Sequence, residues 1–307
     1  MLKFLLTILL SVSMAFSATA AVFATNTPDK DAFVRALAPT LNYGGGGALS
    51  VSGTNCSSPL SGATNGAFDT FISFNTAAMV AGFNSTFGPN NWVVTSATLV
   101  LTQNPNPGNP VFNIGTGAFA IRWIANDTWT EGTGTPMAPT TNGVTYDQEP
   151  FYLDAGTDKN LGAFNFNETS PVNCPLALPA EFVGSIQAGG EAGFFLTAID
   201  PGIGFVFYSR SYAGNSVVLP HLIVSATARP GITAVSLTGT NLVLSATNGV
   251  AGGTYFVLTS TNPSTPVSQW TPLATNVLDV GENFTITVPN AANPNLPLPH
   301  FFLLQTF

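Results

Sequence analysis

Short stretches in which apolar and polar residues alternate recur along most of the chain. In the stretch 119–123, for example, Phe119, Ile121 and Trp123 fall on one face of a predicted strand. Asn, Gly and Pro separate these stretches and indicate turns, as in the segment 104–108. No window beyond the N-terminal residues has the spacing of an amphipathic helix. The pattern therefore predicts an all-β fold, an antiparallel β-sandwich or jelly roll.

A fresh series of strands follows the sequence Ala-Arg-Pro-Gly at residues 228–231, which favours a domain boundary there. The strands of this second series are predicted at 232–237, 242–246, 255–260, 270–273, 284–288 and 301–305. We predict a β-sandwich domain over residues 22–229 and a small immunoglobulin-like or fibronectin-like β-sandwich over 230–307. The expected core anchors of the second domain are Tyr255, Trp270, Phe284, Phe301 and Phe302.

The composition excludes several classes of protein. Only 7% of the 307 residues are charged, and the formal net charge is −8. Seven basic residues cannot form the basic stripe of a nucleic-acid binder, and charged residues are too scarce to solvate a coiled coil. Because 45% of the residues are hydrophobic and 11% are aromatic, intrinsic disorder is also excluded.

The N-terminus has the features of a signal peptide. Lys3 precedes an apolar run over 4–10, and Ala18-Thr19-Ala20 has the small-x-small pattern of a cleavage site. We predict a signal peptide over residues 1–21 and a secreted, extracellular mature chain; the alternative is an N-terminal membrane anchor. No later stretch has the roughly 18 apolar residues of a spanning helix, so no membrane span is expected in the mature chain.

The two cysteines, Cys56 and Cys174, are expected to form a disulfide in an oxidising compartment; the alternative is two buried or free thiols. The two histidines, His221 and His300, are expected to be structural. The chain has no G-x-S-x-G motif, and its His and Cys residues lack zinc-ligand spacing. These observations predict that the protein is not an enzyme and that it has no cofactor, with calcium as the one candidate.

Four acidic residues crowd into one short segment and suggest three alternatives. They form a solvated loop, they bind calcium through hard oxygen ligands, or two of them form a catalytic pair. Their spacing does not match the helix–loop–helix calcium pattern, so the calcium hypothesis rests on charge density. These residues are Asp147, Glu149, Asp154 and Asp158.

Aromatic residues close to these acids are candidates for sugar binding, because aromatic rings stack on the C–H faces of pyranoses. We predict Tyr146, Tyr152 and Trp129 as the ligand-binding residues, whereas the alternation around Trp123 favours core packing. An anionic polysaccharide would also require bases, and the candidates are Arg35, Arg122, Lys159 and Arg210.

Several motifs over about residues 29–228 occur in the order found in the DNRLRE domain, also called disaggregatase-related, and this part of the chain resembles that family. The motifs lie at 31–35, 42–44, 49–51, 68–75, 94–101, 121–131, 145–146, 208–210 and 220–224. The resemblance implies a secreted β-sandwich that serves as an accessory module in bacterial surface proteins and polysaccharide-degrading enzymes, with carbohydrate-binding members. It also implies a mainly structural role for Trp129, which matches the family's W-x-E element. The C-terminal domain is similar to small β-modules that end many exported bacterial proteins.

The leading hypothesis is a secreted, non-catalytic protein that binds a polysaccharide or a cell-surface polymer. A structural spacer of the cell envelope or extracellular matrix, without a specific ligand, is the alternative. A polysaccharide-active enzyme ranks third.

Overall fold

A computed structural model describes residues 21–58, 61–104, 113–214, 218–249, 253–278, 282–291 and 301–306. The chain divides into two compact units, and the division falls between Thr227 and Ala228, two residues before the predicted boundary. The predicted signal peptide lies outside the described residues except for Ala21, and so does His300. No helix among the described residues is long and apolar enough to cross a membrane.

The part of the N-terminal unit that the structure describes contains eleven strands and three short α-helices. In chain order they are β1 (Val22–Asn26), β2 (Lys30–Arg35), β3 (Ala48–Ser52), β4 (Phe68–Asn75), α1 (Ala77–Phe87), β5 (Trp92–Leu101), β6 (Gly117–Ile124), α2 (Glu149–Tyr152), β7 (Lys159–Phe166), β8 (Val172–Leu176), α3 (Ala180–Gln187), β9 (Glu191–Ala198), β10 (Gly204–Tyr208) and β11 (His221–Ala228).

These strands form two sheets. One has the order β1-β11-β5-β8, and the other, a seven-stranded sheet, has the order β10-β3-β4-β9-β6-β7, with β2 also paired to β4. The pairs β2–β4, β4–β9 and β9–β6 are antiparallel. This architecture confirms the predicted all-β, antiparallel sandwich class.

The seven-stranded sheet is buried on both faces at its centre, since seven consecutive residues of β4, from Phe68 to Phe74, are buried. On one face Phe205 stacks on Phe166 at a ring-centroid distance of 4.5 Å and contacts Phe119 at 5.0 Å. We call the opposite face the Phe71 face. It carries a separate cluster formed by Ala32, Val34, Phe71, Ile124, Trp129, Val144 and Phe195.

The helices were not predicted. Helix α1 spans eleven residues and buries Met79, Phe83 and Phe87, which are spaced four residues apart. This narrow stripe is flanked by Gly82, Asn84, Ser85 and Thr86, all weaker helix formers than alanine. The burial of one apolar stripe therefore stabilises a helix that the polar residues and the glycine of this segment did not predict.

The described residues of the C-terminal unit form six strands, the number that the sequence pattern predicts. They are β12 (Gly231–Thr238), β13 (Asn241–Gly249), β14 (Thr254–Ser260), β15 (Thr271–Val277), β16 (Glu282–Val288) and β17 (Phe301–Thr306), and they form the sheets β12-β13-β16 and β15-β14-β17. Buried residues of β13, β14 and β16 form its core.

The predicted anchors of this unit differ in burial. Tyr255 is buried and contacts Phe284, and Phe302 packs against the same core. Two anchors are corrected. Phe301 is 37% exposed, and Trp270 lies outside the core cluster, with its indole N–H donating to the carbonyl of Thr265 at 2.8 Å.

Candidate functional site

The three aromatic residues predicted to bind a ligand all belong to the packing on the Phe71 face. Trp129 is 1% exposed, and its ring lies 5.6 Å from that of Phe71. The prediction for Trp129 is therefore corrected, because a buried indole cannot stack on a sugar. Tyr146 and Tyr152 are half-buried and pack against the same cluster.

The segment 145–158, which we call the cover segment, lies against the Phe71 face through Tyr146, Tyr152 and Leu153. It starts with a short 3₁₀ helix, Tyr146–Gln148, followed by α2. The Thr145 N–H donates to the side chain of Gln148, and the Gln148 N–H donates to the Thr145 carbonyl. A proline at the second position of α2 is compatible with the start of a helix.

The calcium prediction is corrected, because the four acids do not converge. No group of three or more His, Cys, Asp or Glu side chains among the described residues could hold a metal ion. Asp147 accepts a hydrogen bond from the Thr145 hydroxyl. Asp158 accepts from the N–H groups of Ala125 and Asp154, and Asp154 accepts from the N–H of Gly156. The carboxylates of Asp154 and Asp158 thus bind backbone amides and stabilise the turn, whereas Asp147 binds a side-chain hydroxyl.

The fourth acid, Glu149, turns towards the sheet and meets Asp69 of β4, so that the two carboxyl groups hydrogen-bond each other. Asp69 is 4% exposed. Burial raises the pKa of Asp69 to about 6. Burial, followed by the neighbouring Asp69, raises the pKa of Glu149 to about 8. Burial and the same two carboxyls also raise the pKa of Tyr146. The sequence did not predict this pair, whose members lie in different elements.

A second buried acid, Asp31, connects motif residues that carried the family resemblance. Its carboxylate accepts from the Ser209 hydroxyl and from the Arg210 N–H, each at 2.7 Å. The Arg210 guanidinium pairs with Glu131 at 2.6 Å, and Glu131 also accepts from the Asp31 N–H. Burial raises the pKa of Asp31 to about 7 despite these hydrogen bonds. The network joins β2, the turn after β10 and the loop after β6.

A third polar centre is Asn42, which is completely buried. Its amide donates to the carbonyls of Glu131 and Val144, and its oxygen accepts from the N–H groups of Gly44 and Gly134. A Cβ at Gly134 would lie 1.8 Å from the Asn42 carbonyl oxygen, so only glycine fits there. The Asn-Tyr-Gly motif thus fixes the loop after β6.

An aromatic pair, formed by the half-buried Tyr208 and the exposed Tyr212, lies where β10 ends. The rings of Tyr208 and Tyr212 are 4.6 Å apart and tilted by 59°, and Tyr212 is 37% exposed. A Cβ at Gly214 would lie 2.2 Å from the Tyr212 ring, so only glycine fits beside the ring at that position. Arg210, whose side chain is also 37% exposed, lies between the two tyrosines in sequence. We call Tyr208, Tyr212 and the Arg210–Glu131 ion pair the tyrosine surface.

Three of the four bases proposed for an anionic ligand, Arg35, Lys159 and Arg210, bind different partners. Arg35 donates to Asn65 and lies over the Phe68 ring, and Lys159 pairs with Glu181 at 3.0 Å. Arg122 is half-buried in β6. Of these bases only Arg210 lies on the tyrosine surface.

The disulfide prediction is wrong, because both cysteines are free and buried and do not lie at disulfide distance. Cys56 packs in a cluster with Phe33 and Phe68, and its thiol donates to the Asn113 carbonyl at 3.2 Å. Cys174 lies opposite Leu99 in the four-stranded sheet. Burial raises the pKa of Cys56, and it raises the pKa of Cys174 to about 12.

We therefore expect dithiothreitol to change the melting temperature by less than about 1 °C, whereas loss of a disulfide closing so long a loop would cost about 4–5 kcal/mol. Neither Cys56 nor Cys174 should react with iodoacetamide in the native protein, because the thiolate is the reactive form and burial disfavours it. Mass spectrometry should find two modified thiols after unfolding without reductant. Thiols that become reactive only after reduction would contradict this prediction.

The comparisons with known proteins supply no family. No protein-family model matches the chain, and no curated protein matches it. Among solved structures, the Macrobrachium rosenbergii nodavirus structure matches with 9% sequence identity and a TM-score of 0.24, covering 100% of this chain and 96% of that chain. Similarity at this level supports no conclusion about function.

Proposed function

We propose that the protein is a secreted, non-catalytic module that binds a polysaccharide or a cell-surface polymer, and that the tyrosine surface of the N-terminal unit is its binding surface. The observation that carries this proposal is the exposed Tyr212 ring, which packs on the half-buried Tyr208 ring beside the Arg210–Glu131 ion pair.

The chemistry of this surface suits a saccharide. An exposed tyrosine ring offers an apolar face to the C–H groups of a pyranose. A guanidinium and a carboxylate offer planar hydrogen-bonding groups to its hydroxyls. The Asp31–Ser209 and Asp31–Arg210 hydrogen bonds hold the segment between the tyrosines in place. A ligand would therefore meet a preformed surface, which reduces the entropy lost on binding.

Trp129 is buried and is no longer proposed to contact the ligand. Tyr146 and Tyr152 remain candidates for ligand contacts at the periphery of the binding surface. It retains the DNRLRE-like plan for the N-terminal unit as its expected family and leaves the C-terminal unit as an attachment or spacer module. A purely structural spacer is the outcome that a failed binding test would favour.

The test is affinity electrophoresis of the full chain in gels that contain alginate, pectin or cellulose. We expect retardation on at least one polymer, and we expect Tyr212→Ala to weaken it about ten-fold, since loss of one stacking ring costs on the order of 1.4 kcal/mol. Phe151→Ala is the matched control, because Phe151 is another exposed aromatic residue, 71% exposed, on the cover segment.

Three outcomes would contradict the proposal. Absence of retardation on every polymer would favour the spacer hypothesis. Equal retardation of Tyr212→Ala and the unmodified chain would remove the tyrosine surface as the site. Release of soluble sugars from any polymer would show that the protein is an enzyme.

A further inference from the structure

Individual hydrogen bonds and ring contacts, without strand pairing, hold the cover segment among its described neighbours. The Asp147 N–H donates to the Pro39 carbonyl at 3.0 Å, and the Asn126 side chain donates to the Phe151 carbonyl at 3.2 Å. Tyr152 contacts the Phe71 ring edge-on at a centroid distance of 6.1 Å. The segment consists mainly of short turns and one-turn helices, so its own secondary structure contributes little to its stability.

The Asp69–Glu149 pair lies at the junction between the sheet and this segment. Asp69 Oδ1 and Glu149 Oε1 are both buried, and the described residues place no hydrogen-bond donor within reach of either oxygen. An ionised carboxylate is only an acceptor, so two ionised carboxylates here would leave both oxygens unsatisfied and would repel each other. One retained proton satisfies both oxygens, because a protonated carboxyl donates to the ionised one.

Among the described residues, no lysine or arginine contributes to the raised pKa of either carboxyl, so no positive charge compensates for the pair. Thr197 of β9 donates its neutral hydroxyl to Asp69, and the β2 residue opposite Asp69 is Val34. From the cover segment the facing titratable group is the Tyr146 phenol, which is neutral until strongly alkaline pH. On β6, Ala120 lies opposite Thr197, and the nearest cation of that strand, Arg122, lies opposite Phe195 instead.

We propose that this carboxyl pair is a proton-operated latch, in which the shared proton holds the cover segment against the sheet and its loss in mildly alkaline solution releases the segment. This inference is independent of the binding function proposed for the tyrosine surface.

The direction of the pH dependence follows from the pKa values in the two states. In the closed state the pKa of Glu149 is raised to about 8, whereas in an open, hydrated state it returns towards its ordinary value of 4.5. Between these values the closed state holds a proton that the open state lacks. The closed state is therefore favoured at low pH, and it loses this advantage as the pH rises towards 8. Above that pH both states are ionised and the equilibrium no longer changes.

Hydrogen–deuterium exchange of the full chain, analysed by mass spectrometry and corrected for intrinsic exchange rates, measures this opening. We expect peptides from residues 145–158 to lose protection about ten-fold per pH unit between pH 6 and pH 8, since one proton is released on opening, and then to level off. Peptides from β5 should keep their protection, because the opening is local.

Glu149→Gln is the decisive variant, because its amide donates permanently to Asp69 and should keep the protection of the cover segment constant from pH 6 to pH 9. Asp69→Asn provides the same test from the other side if the first variant folds poorly. Glu168→Gln is the matched control, because Glu168 is exposed and lies outside the cover segment, and it should behave as the unmodified chain.

Protection that does not change with pH in the unmodified chain would overturn the latch, as would an unchanged pH slope in a folded Glu149→Gln protein. Loss of protection over the entire N-terminal unit would show global unfolding instead. Restoration of the protection at pH 8 by calcium chloride would indicate a cation between the carboxylates instead of a proton.

Discussion

The substitution Asn42→Ala is expected to lower the free energy of unfolding of the N-terminal unit by about 4 kcal/mol. It leaves four backbone groups without a hydrogen-bond partner, and each unsatisfied buried group costs about 1–3 kcal/mol. The affected groups are the carbonyls of Glu131 and Val144 and the N–H groups of Gly44 and Gly134. Water cannot easily replace the amide, since the site is completely buried.

Differential scanning calorimetry of the full chain measures this effect as a fall of about 10 °C in the melting temperature of the N-terminal unit. Asn42→Asp tests the geometry more finely, because it preserves the shape and the accepting oxygen but loses the two donated bonds. Asn173→Ala is the control, since Asn173 is an exposed strand asparagine, and it should leave the transition within about 1 °C. A small effect of Asn42→Ala would show that Asn42 does not organise the loop after β6.

The substitution Trp129→Ala is expected to lower the free energy of unfolding by about 3–5 kcal/mol, as other truncations of buried aromatic residues do. The lost contacts include the Phe71 ring and Lys30, whose ammonium lies 4.9 Å from the centre of the indole. The same substitution should leave polymer retention by the folded protein unchanged, because Trp129 is not accessible to a ligand.

Trp129→Phe should cost much less, about 1–2 kcal/mol, since it keeps an aromatic ring in the cluster. The indole N–H is buried without a hydrogen-bond partner, so its removal also removes an unsatisfied donor. Chemical denaturation followed by circular dichroism compares the two variants. An equal loss of stability in both would contradict a packing role, and loss of polymer retention in a stable Trp129→Phe protein would restore the ligand-binding role.

The strands were predictable because local alternation records which face of a strand is buried. In β6, Phe119 and Ile121 are fully buried as the alternation predicts, whereas Trp123 is only half-buried. Helix α1 escaped prediction because its stripe of Met79, Phe83 and Phe87 is embedded in weak helix formers. The composition of a segment does not show how much of its apolar surface the rest of the fold will bury.

The site was less predictable, because its contacts join residues that are distant in sequence. The acidic segment indicated where to look, but no local pattern shows that Glu149 would turn away from Asp147 and meet Asp69. The disulfide prediction rested on the redox compartment alone, whereas the fold buries Cys56 and Cys174 apart. For Tyr208 and Tyr212, the available signal was two tyrosines flanking the Ser-Arg motif at the end of a predicted strand.

The proposed function requires a saccharide to contact the tyrosine surface at the rings of Tyr208 and Tyr212. Saturation-transfer difference NMR tests it most directly, with an oligosaccharide cut from whichever polymer the gels retain and with irradiation of the aromatic protons of the protein. We predict strong transfer to the pyranose C–H protons, its loss in Tyr212→Ala and its retention in Phe151→Ala. Undiminished transfer in Tyr212→Ala, or loss of transfer in Phe151→Ala alone, would contradict the claim.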